Sequence, residues 1–300
     1  MDNIVSAKEY DYLERKKAID RICGEYGFIK KSAIGRSCAG RDITALKIGS
    51  GAEYVLFAAA FHGSERITSV ILLMFAEELF RAVKNDECIG GLNVKRALHG
   101  RGVIIVPCVN PDGCEISLCG AKACGALGNT ISRLCRNDFE HWNANLRGVD
   151  INHNFDAGWK ELRQKERDAG IYGPSPRRFG GFKPESEPET LALTELCRTV
   201  NIRHVLALHS QGEVIYWSYG NNMPPRSKKM AEIMATSSGY ALDAPLGLAD
   251  GGGFKDWFIS EFRRPGFTVE VGLGENPLPA GSAGEIYAKI REMLFLCTIM

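Results

Sequence analysis

Five short apolar runs constrain the fold of this chain more than any other feature of its sequence. Runs of this length that are rich in β-branched and aromatic residues are typical of buried strands. Segments with the helical spacing of apolar residues alternate with these runs, so the sequence predicts an α/β fold with a mainly parallel or mixed sheet covered by helices on both faces. The predicted strands are 42–50, 53–61, 101–110, 203–210 and 266–271. The predicted helices are 7–25, 66–84, 186–200, 226–238 and 283–297.

No internal repeat and no interdomain linker is visible, so we expect residues 1–300 to form one domain, with a helix within residues 1–30 packed on it. The predicted apolar face of that helix consists of Tyr12, Leu13, Ala18, Ile19 and Ile22.

Residues 111–185 show no regular period and are predicted to be a long irregular stretch that begins with the turn NPDG (110–113). Loops of this length in a compact domain are usually functional or disordered. This one carries Trp142, Phe155 and Tyr172, which is more aromatic content than disordered segments have. The sequence leaves open what its Cys-, Gly- and Ala-rich part, residues 114–141, does.

Charge and cysteine content narrow the class of protein. The chain has 37 basic and 36 acidic residues and no long basic run, which argues against nucleic acid or an anionic membrane as a partner. No apolar run is long enough to span a bilayer, and the polar start of the chain has no signal-peptide core, so we expect a cytoplasmic protein. The ten cysteines include no C-x-x-C pair and are expected to be free thiols in a reducing compartment.

Two histidines are followed three residues later by an acid, and one of these pairs stands at a strand end. His62 closes the apolar run 53–61, and Glu65 follows one helical turn later. Open α/β sheets bind ligands at such edges, so His62 and Glu65 can face one metal ion. The other pair, His153 and Asp156, has no helical period around it. We therefore favour the first pair.

A catalytic zinc site needs three protein ligands and an open position for water. His209 is the best third candidate because the apolar residues 205–208 bring it to a strand end. Glu270 lies inside the apolar run 266–271, where a carboxylate is disfavoured unless it has a task. It is either an exposed residue of an edge strand or, beside a metal, a general base.

Six segments in order together resemble the zinc carboxypeptidase family. They are FHGSE (61–65), VNPDG (109–113), RGVDINHNF (147–155), SEPET (186–190), LHSQG (208–212) and FTVEVG (267–272). The resemblance covers most of the chain and implies a three-layer α/β/α fold with a mixed sheet of about eight strands. It also implies one Zn²⁺ held by His62, Glu65 and His209, with Glu270 activating the zinc water that attacks a peptide carbonyl. The family's oxyanion-stabilising arginine corresponds to Arg136, with Arg147 as the alternative.

Departures from the family pattern concern the substrate. The family's Asn-Arg pair, which grips the substrate's C-terminal carboxylate, is Asn152–His153 here, and the family's closing tyrosine is missing from the segment before Asp256. Histidine is a weaker carboxylate partner than a guanidinium. Lys255 stands at the position that lines the family's specificity pocket, where it predicts a negatively charged leaving residue; the alternative is a lysine that reaches the surface.

Residues 148–159 and 251–258 most resemble the bacterial γ-D-glutamyl–L-diamino acid peptidases, which cut cell-wall peptides. Their leaving residue, meso-diaminopimelate, carries an extra carboxylate, which suits a pocket lysine. We therefore expect a murein-derived peptide as substrate. The alternatives are an ordinary metallocarboxypeptidase acting on α-peptides, an N-acyl amino acid deacylase and a non-catalytic peptide-binding module.

Overall fold

An eight-stranded mixed sheet forms the centre of the structure, a computed structural model that describes residues 3–49, 51–221 and 223–300. The strands are β1 (Lys30–Arg36), β2 (Asp42–Gly49), β3 (Glu53–Ala59), β4 (Cys88–Ile89), β5 (Leu92–Asn93), β6 (Arg101–Val106), β7 (Ile202–His209), β8 (Val214–Tyr216), β9 (Ala241–Asp243) and β10 (Gly266–Glu270). Their order in the sheet is β1-β2-β6-β3-β7-β10-β8-β9, and β4 and β5 form a separate hairpin. The central neighbours β6, β3, β7 and β10 are parallel, so their carboxyl ends meet at one edge.

Helices cover both faces of this sheet. They are α1 (Tyr12–Glu25), α2 (Ile67–Asn85), α3 (Val94–Ala97), α4 (Pro111–Cys119), α5 (Gly128–Leu134), α6 (Trp159–Asp168), α7 (Pro188–Thr199), α8 (Ser227–Ser238), α9 (Phe254–Phe262) and α10 (Ala283–Cys297). None of the helices in the described residues is long and apolar enough to cross a membrane.

Alternate residues along β3 belong to two different apolar cores, as expected for a strand buried on both faces. Val55 and Phe57 join the core formed with α1, α2, α8 and α10. Leu56 and Ala58 join the core formed with α7 and α9. The predicted α/β/α architecture with a mixed sheet is therefore confirmed.

Residues 111–185 differ from the prediction because they contain α4, α5 and α6. The NPDG segment is a helix start and not a turn: Asn110 caps α4 by accepting a hydrogen bond from the backbone N–H of Gly113, and Pro111 is the first helical residue. Asn and Pro favour both structures, so the residues alone do not distinguish them. The segment 114–141 packs around its own small core.

Smaller differences concern the ends of elements. Helix α1 begins at Tyr12 rather than at residue 7, and Leu13, predicted on its apolar face, is 61% exposed. Helix α7 begins at Pro188 rather than at residue 186, with Glu187 as its N-cap, and the hydroxyl of Ser186 donates to the Glu187 carboxylate. Strand β1 was missed because its residues are mostly exposed and lack an apolar face.

Candidate metal centre

The carboxyl ends of three central strands bring the candidate site together. His209 is the last residue of β7, and Glu270 is the last residue of β10. Strand β3 ends at Ala59, so His62 lies three residues beyond it, and Glu65 follows in a single 3₁₀ turn before α2. This edge is where open α/β sheets bind ligands.

Glycine is required at position 63 for this corner to form. A β-carbon there would lie 2.3 Å from the backbone oxygen of Gly113 and 2.4 Å from that of Trp142. The corner that carries His62 and Glu65 therefore packs backbone to backbone against the start of α4. A side chain at residue 63 would push the two candidate ligands away from the sheet edge.

Both imidazoles turn the same ring nitrogen toward one carboxylate. Nδ1 of His62 lies 2.7 Å from Oε1 of Glu65, and Nδ1 of His209 lies 3.0 Å from Oε2 of the same residue. Candidate ligand atoms of these three residues all lie within 4.8 Å of one another. Glu65 and His209 are buried, with 4% and 1% exposure, and His62 is half-buried.

The second ring nitrogen of His62 is held by Asp150. Nε2 of His62 lies 3.1 Å from Oδ1 of Asp150, which is itself buried. A carboxylate on the far nitrogen fixes the tautomer that leaves Nδ1 free as a metal ligand. Sequence reasoning missed Asp150, although the acid stands inside the RGVDINHNF segment that carried the family resemblance.

The titration of these groups shows that the site favours a cation. Burial disfavours the charged forms, but His62 and His209 outweigh it and lower the pKa of Glu65 to about 2. Burial likewise opposes a charged His62, but Glu65 and Asp150 raise its pKa well above the ordinary value. Glu65 and Asp150 thus favour a proton on the His62 imidazole, at a place where a divalent cation can replace it. Two histidines and a glutamate are a ligand set that Zn²⁺ takes in catalytic sites.

Glu270 faces the same cavity without contributing to this ligand group. Its Cα is the register partner of His209 across β10 and β7. Burial, followed by the negative charge of Glu65, raises the pKa of Glu270 to about 8. A carboxylate whose pKa lies close to neutrality is suited to accept and return a proton.

A second group of potential ligands consists of Cys38, Glu187 and Glu189. The side-chain amide of Asn145 lies among them, 3.4 Å from the Cys38 sulfur and 2.8 Å and 3.1 Å from the two carboxylates. The two N–H groups of this amide already donate hydrogen bonds into the group. The His62, Glu65 and His209 group is therefore the better metal site of the two.

A cavity of about 190 Å³ opens over this candidate metal site. It holds both candidate ligand histidines and Glu270, and the predicted substrate residues Asn152, His153 and Lys255 also line it. The remaining residues of its lining are Asn143, Asp150, Arg177, Arg178, Tyr216, Pro245, Ala249, Gly253, Asp256 and Thr268.

Both predicted arginines lie outside this lining. Arg136 is exposed just after α5, with a positive φ of 52°. Arg147 is also exposed, and its guanidinium lies 3.6 Å from the carboxylate of Glu187. Arg177 and Arg178 line the cavity instead. The backbone N–H of Arg178 donates to Oδ2 of Asp150 at 2.8 Å, which ties this arginine pair to the carboxylate that orients His62.

Asn152 and His153 are held by the protein. The side-chain oxygen of Asn152 accepts a hydrogen bond from the backbone N–H of Phe254 at 3.0 Å. Nδ1 of His153 lies 2.8 Å from the buried carboxylate of Glu166, which also pairs with Arg163. His153 therefore contributes a fixed ring to the cavity wall.

Lys255 is buried, with 4% exposure, so the surface alternative is wrong. Its ammonium pairs with Asp256 and donates to the backbone oxygen of Ser218 at 2.7 Å. The carboxylate of Asp256 and the backbone oxygen of Ser218 therefore neutralise much of the charge of Lys255 within the protein.

Comparisons with known proteins show what the chain is similar to. The sequence profile of the zinc carboxypeptidase family matches residues 17–293. The chain is 38% identical over 283 residues to γ-D-glutamyl-L-diamino acid endopeptidase 1 of Lysinibacillus sphaericus, covering 93% of this chain and 70% of that protein. It is 29% identical over 162 residues to murein peptide amidase A of Escherichia coli K12, covering 51% of each chain. The fold matches carboxypeptidase A from Helicoverpa armigera with a TM-score of 0.73 at 18% identity, covering 98% of this chain and 74% of that one.

Proposed function

The chain belongs to the zinc carboxypeptidase family and is an enzyme of the metallopeptidase type, and from this premise we propose that it hydrolyses the γ-D-glutamyl–diaminopimelate bond of cell-wall peptides. The observation that carries the peptidase activity is the convergence of His62, Glu65 and His209 beside Glu270. The choice of bond is supported by the endopeptidase relative at 38% identity. We further propose that residues 1–300 act as one catalytic domain.

His62, Glu65 and His209 hold one Zn²⁺ per chain in this proposal. When bound, the ion supplies Lewis-acid chemistry at the scissile carbonyl and lowers the pKa of water. Asp150 keeps the His62 ring in the orientation that presents Nδ1. Ser210 contributes its backbone N–H, which lies 3.3 Å from Oε2 of Glu65 and helps to fix the carboxylate.

Glu270 acts as the proton carrier of the reaction. Its carboxylate accepts a proton from the attacking water and passes it to the leaving amine. Strand β10 holds this carboxylate at the edge of the cavity, where substrate can reach it.

The positive wall of the cavity recognises negative charge on the substrate. Arg177 and Arg178 provide two guanidinium groups, which pair well with carboxylates. We assign to this pair the anion-stabilising role that the sequence assigned to Arg136 or Arg147. Lys255 adds a partly neutralised ammonium, with Asn152 and His153 shaping the wall between them. A leaving residue with two carboxylates, such as meso-diaminopimelate, suits such a wall better than a lysine does.

A digest followed by mass spectrometry tests the proposal. Zinc-loaded protein is incubated with L-Ala-γ-D-Glu-meso-diaminopimelate in one tube and with mixed α-linked peptides in another. The Glu270→Gln variant provides the inactive comparison, and Glu275→Gln, at an exposed site, provides the matched control. We expect diaminopimelate to be released only in the first tube, by the natural protein and the control variant.

Other outcomes separate the alternatives. Trimming of the α-linked peptides alone would retain the mechanism and replace the substrate with that of an ordinary metallocarboxypeptidase. No cleavage in either tube, with zinc shown to be bound, would contradict the peptidase proposal. The deacylase and the non-catalytic binding module would then be tested with N-acyl amino acids and with peptide-binding measurements.

A further inference from the structure

Two cysteines outside the metal centre lie in contact with each other. The sulfur atoms of Cys108 and Cys114 are 3.7 Å apart, in the segment that leads from β6 into α4. Cys108 is 6% exposed and Cys114 is 1% exposed. This distance is a hydrogen-bonding contact between thiols, and a disulfide would need the sulfurs to close to about 2.05 Å.

A buried arginine shares their surroundings. Arg15 is 4% exposed, and its Nη2 has no hydrogen-bond partner within residues 3–49, 51–221 and 223–300. The salt bridges found among these residues include none to Arg15. A buried cation without a carboxylate is costly unless another anion compensates it. Arg15 and Cys108 line one cavity of about 160 Å³, together with Asp20 and Asp42. Asp20 pairs with Lys31 and Asp42 pairs with Arg36, so a Cys108 thiolate can be the anion that compensates Arg15.

The two thiols differ in acidity. Burial disfavours a Cys108 thiolate, but the hydrogen bond from Cys114 and the charge of Arg15 outweigh it and lower the pKa of Cys108. The hydrogen bond with Cys108, together with burial, raises the pKa of Cys114. Cys197, equally buried but remote from this pair, also has a raised pKa because of burial. Only one sulfur of the pair is thus set up as a nucleophile, which is the arrangement of an attacking and a resolving cysteine.

We propose that Cys108 and Cys114 form a redox-active dithiol that hydroperoxides oxidise to a disulfide. The Cys108 thiolate attacks one oxygen of hydrogen peroxide, the O–O bond breaks, hydroxide leaves, and Cys108 becomes a sulfenic acid. The Cys114 sulfur then attacks the Cys108 sulfur; the S–O bond breaks and water leaves with the Cys114 proton. Both cysteines are oxidised by one equivalent of peroxide. A thiol reductant reverses the reaction by exchange.

The pair is connected to the corner that carries His62. Both sulfurs pack with Ala60 in one small apolar cluster. Between the two cysteines, Asn110 donates from its backbone N–H to Ala60 at 2.9 Å and from its side chain to the backbone oxygen of Phe61 at 3.0 Å. Bringing the two sulfurs to bonding distance changes the position of this segment relative to residues 60–63. The oxidised form therefore holds Zn²⁺ less tightly than the reduced form.

Mass spectrometry of the zinc-loaded full chain tests the dithiol. The reduced protein is treated with one equivalent of hydrogen peroxide, its remaining thiols are alkylated, and the digested peptides are sequenced. We expect a peptide lacking two hydrogens, with residues 108 and 114 unalkylated and linked. Cys197 should stay reduced as the burial-matched control, and the exposed Cys119, in the same helix as Cys114, should be alkylated.

Variants test the separate roles of Cys108, Cys114 and Arg15 in the oxidation. Cys114→Ser should stop at a Cys108 sulfenic acid, which a dimedone probe captures, and Cys119→Ser should form the disulfide normally. Arg15→Gln should oxidise more slowly than Arg15→Lys, since loss of the positive charge raises the pKa of Cys108 and lowers its thiolate fraction. Oxidation at Cys88 or Cys119 before Cys108 would overturn the proposal. The order in which the cysteines are oxidised is measured on the natural protein, so this test does not depend on whether a variant folds.

The rate of zinc release to a chelating dye tests whether oxidation of the dithiol affects the corner that carries His62 and Glu65. The oxidised protein should release zinc to the dye faster than the reduced protein, and a reductant should reverse the change. Equal release from the two forms would overturn the connection. Neither the mass spectrometry of the disulfide nor the measurement of zinc release requires peptide cleavage. A failure of the dithiol proposal is therefore distinguishable from a failure of the proposed function.

Discussion

Glu270 and His209 are register partners on adjacent parallel strands, each as the last residue of its strand. Side chains at paired positions of parallel strands project from the same face, so both rise toward the same cavity. The backbone N–H of Val271 donates to the oxygen of His209 at 2.8 Å, which extends the ladder past both residues. Main-chain hydrogen bonds, and not a loop, therefore set the spacing between the proposed base and a proposed metal ligand.

The raised pKa of Glu270 predicts a pH dependence of folding stability in zinc-free protein. The pKa rises from the ordinary 4.5 to about 8, so the folded protein binds this proton more tightly than the unfolded chain does. The resulting stabilisation is complete below the unfolded pKa and is lost as the pH rises through the folded pKa. We expect the free energy of unfolding, measured in urea, to fall between about pH 5 and about pH 8.

The Glu270→Gln variant isolates this contribution because glutamine does not titrate. His62, whose pKa is also raised, acts in the same direction and stays in the variant. We therefore expect the decline in stability to become shallower in Glu270→Gln, but not to disappear. An equally steep decline in the natural protein and the variant would show that another group binds the proton.

We expect substitution of Asp150 to weaken metal binding, although Asp150 is not itself a proposed metal ligand. Asp150→Asn leaves the size of the side chain unchanged but removes the charge that orients His62. Loss of such an orienting carboxylate typically weakens zinc binding about 10–100-fold, and we expect this range. Competition with a chelating dye measures it. Asp156→Asn, at an exposed acid of the same segment, is the control and should bind zinc normally.

The candidate ligands His62 and His209 could be proposed from sequence because each stands where an apolar run ends, and Glu65 because it follows His62 by three residues. The hydropathy of residues 53–61 and 203–210 shows that those runs are buried, and a polar residue at the end of such a run must face the sheet edge. The places of Asp150, Arg177 and Arg178 in the lining of the cavity could not be found in this way. Their positions depend on how residues 111–185 fold back over the sheet, which is determined by contacts between distant parts of the chain.

Substituting the arginines tests whether Arg177 and Arg178, which line the cavity, or Arg136, which the sequence suggested, stabilise the anion. We expect Arg177→Gln and Arg178→Gln to lower kcat/KM on the murein tripeptide about 10–100-fold each, since hydrogen bonds between charged groups contribute about 1.5–3 kcal/mol. Arg136→Gln, outside the cavity lining, should have little effect. The reverse pattern would return the anion-stabilising role to Arg136. Steady-state kinetics on zinc-loaded variants make the comparison.

The cost in folding stability of removing Lys255 tests whether its ammonium is held by Asp256 or is available to a substrate carboxylate. Lys255→Met leaves the Asp256 carboxylate buried without its partner, and breaking a buried pair in this way costs about 3–5 kcal/mol. Adding Asp256→Asn removes the unpaired charge, so the double variant should regain most of that loss. Lys289→Met breaks the partly exposed pair with Glu213 and should cost no more than about 1 kcal/mol. Urea unfolding measures all three. If Lys255→Met costs no more than Lys289→Met, Asp256 does not hold the ammonium, and the full charge of Lys255 is available to a substrate carboxylate.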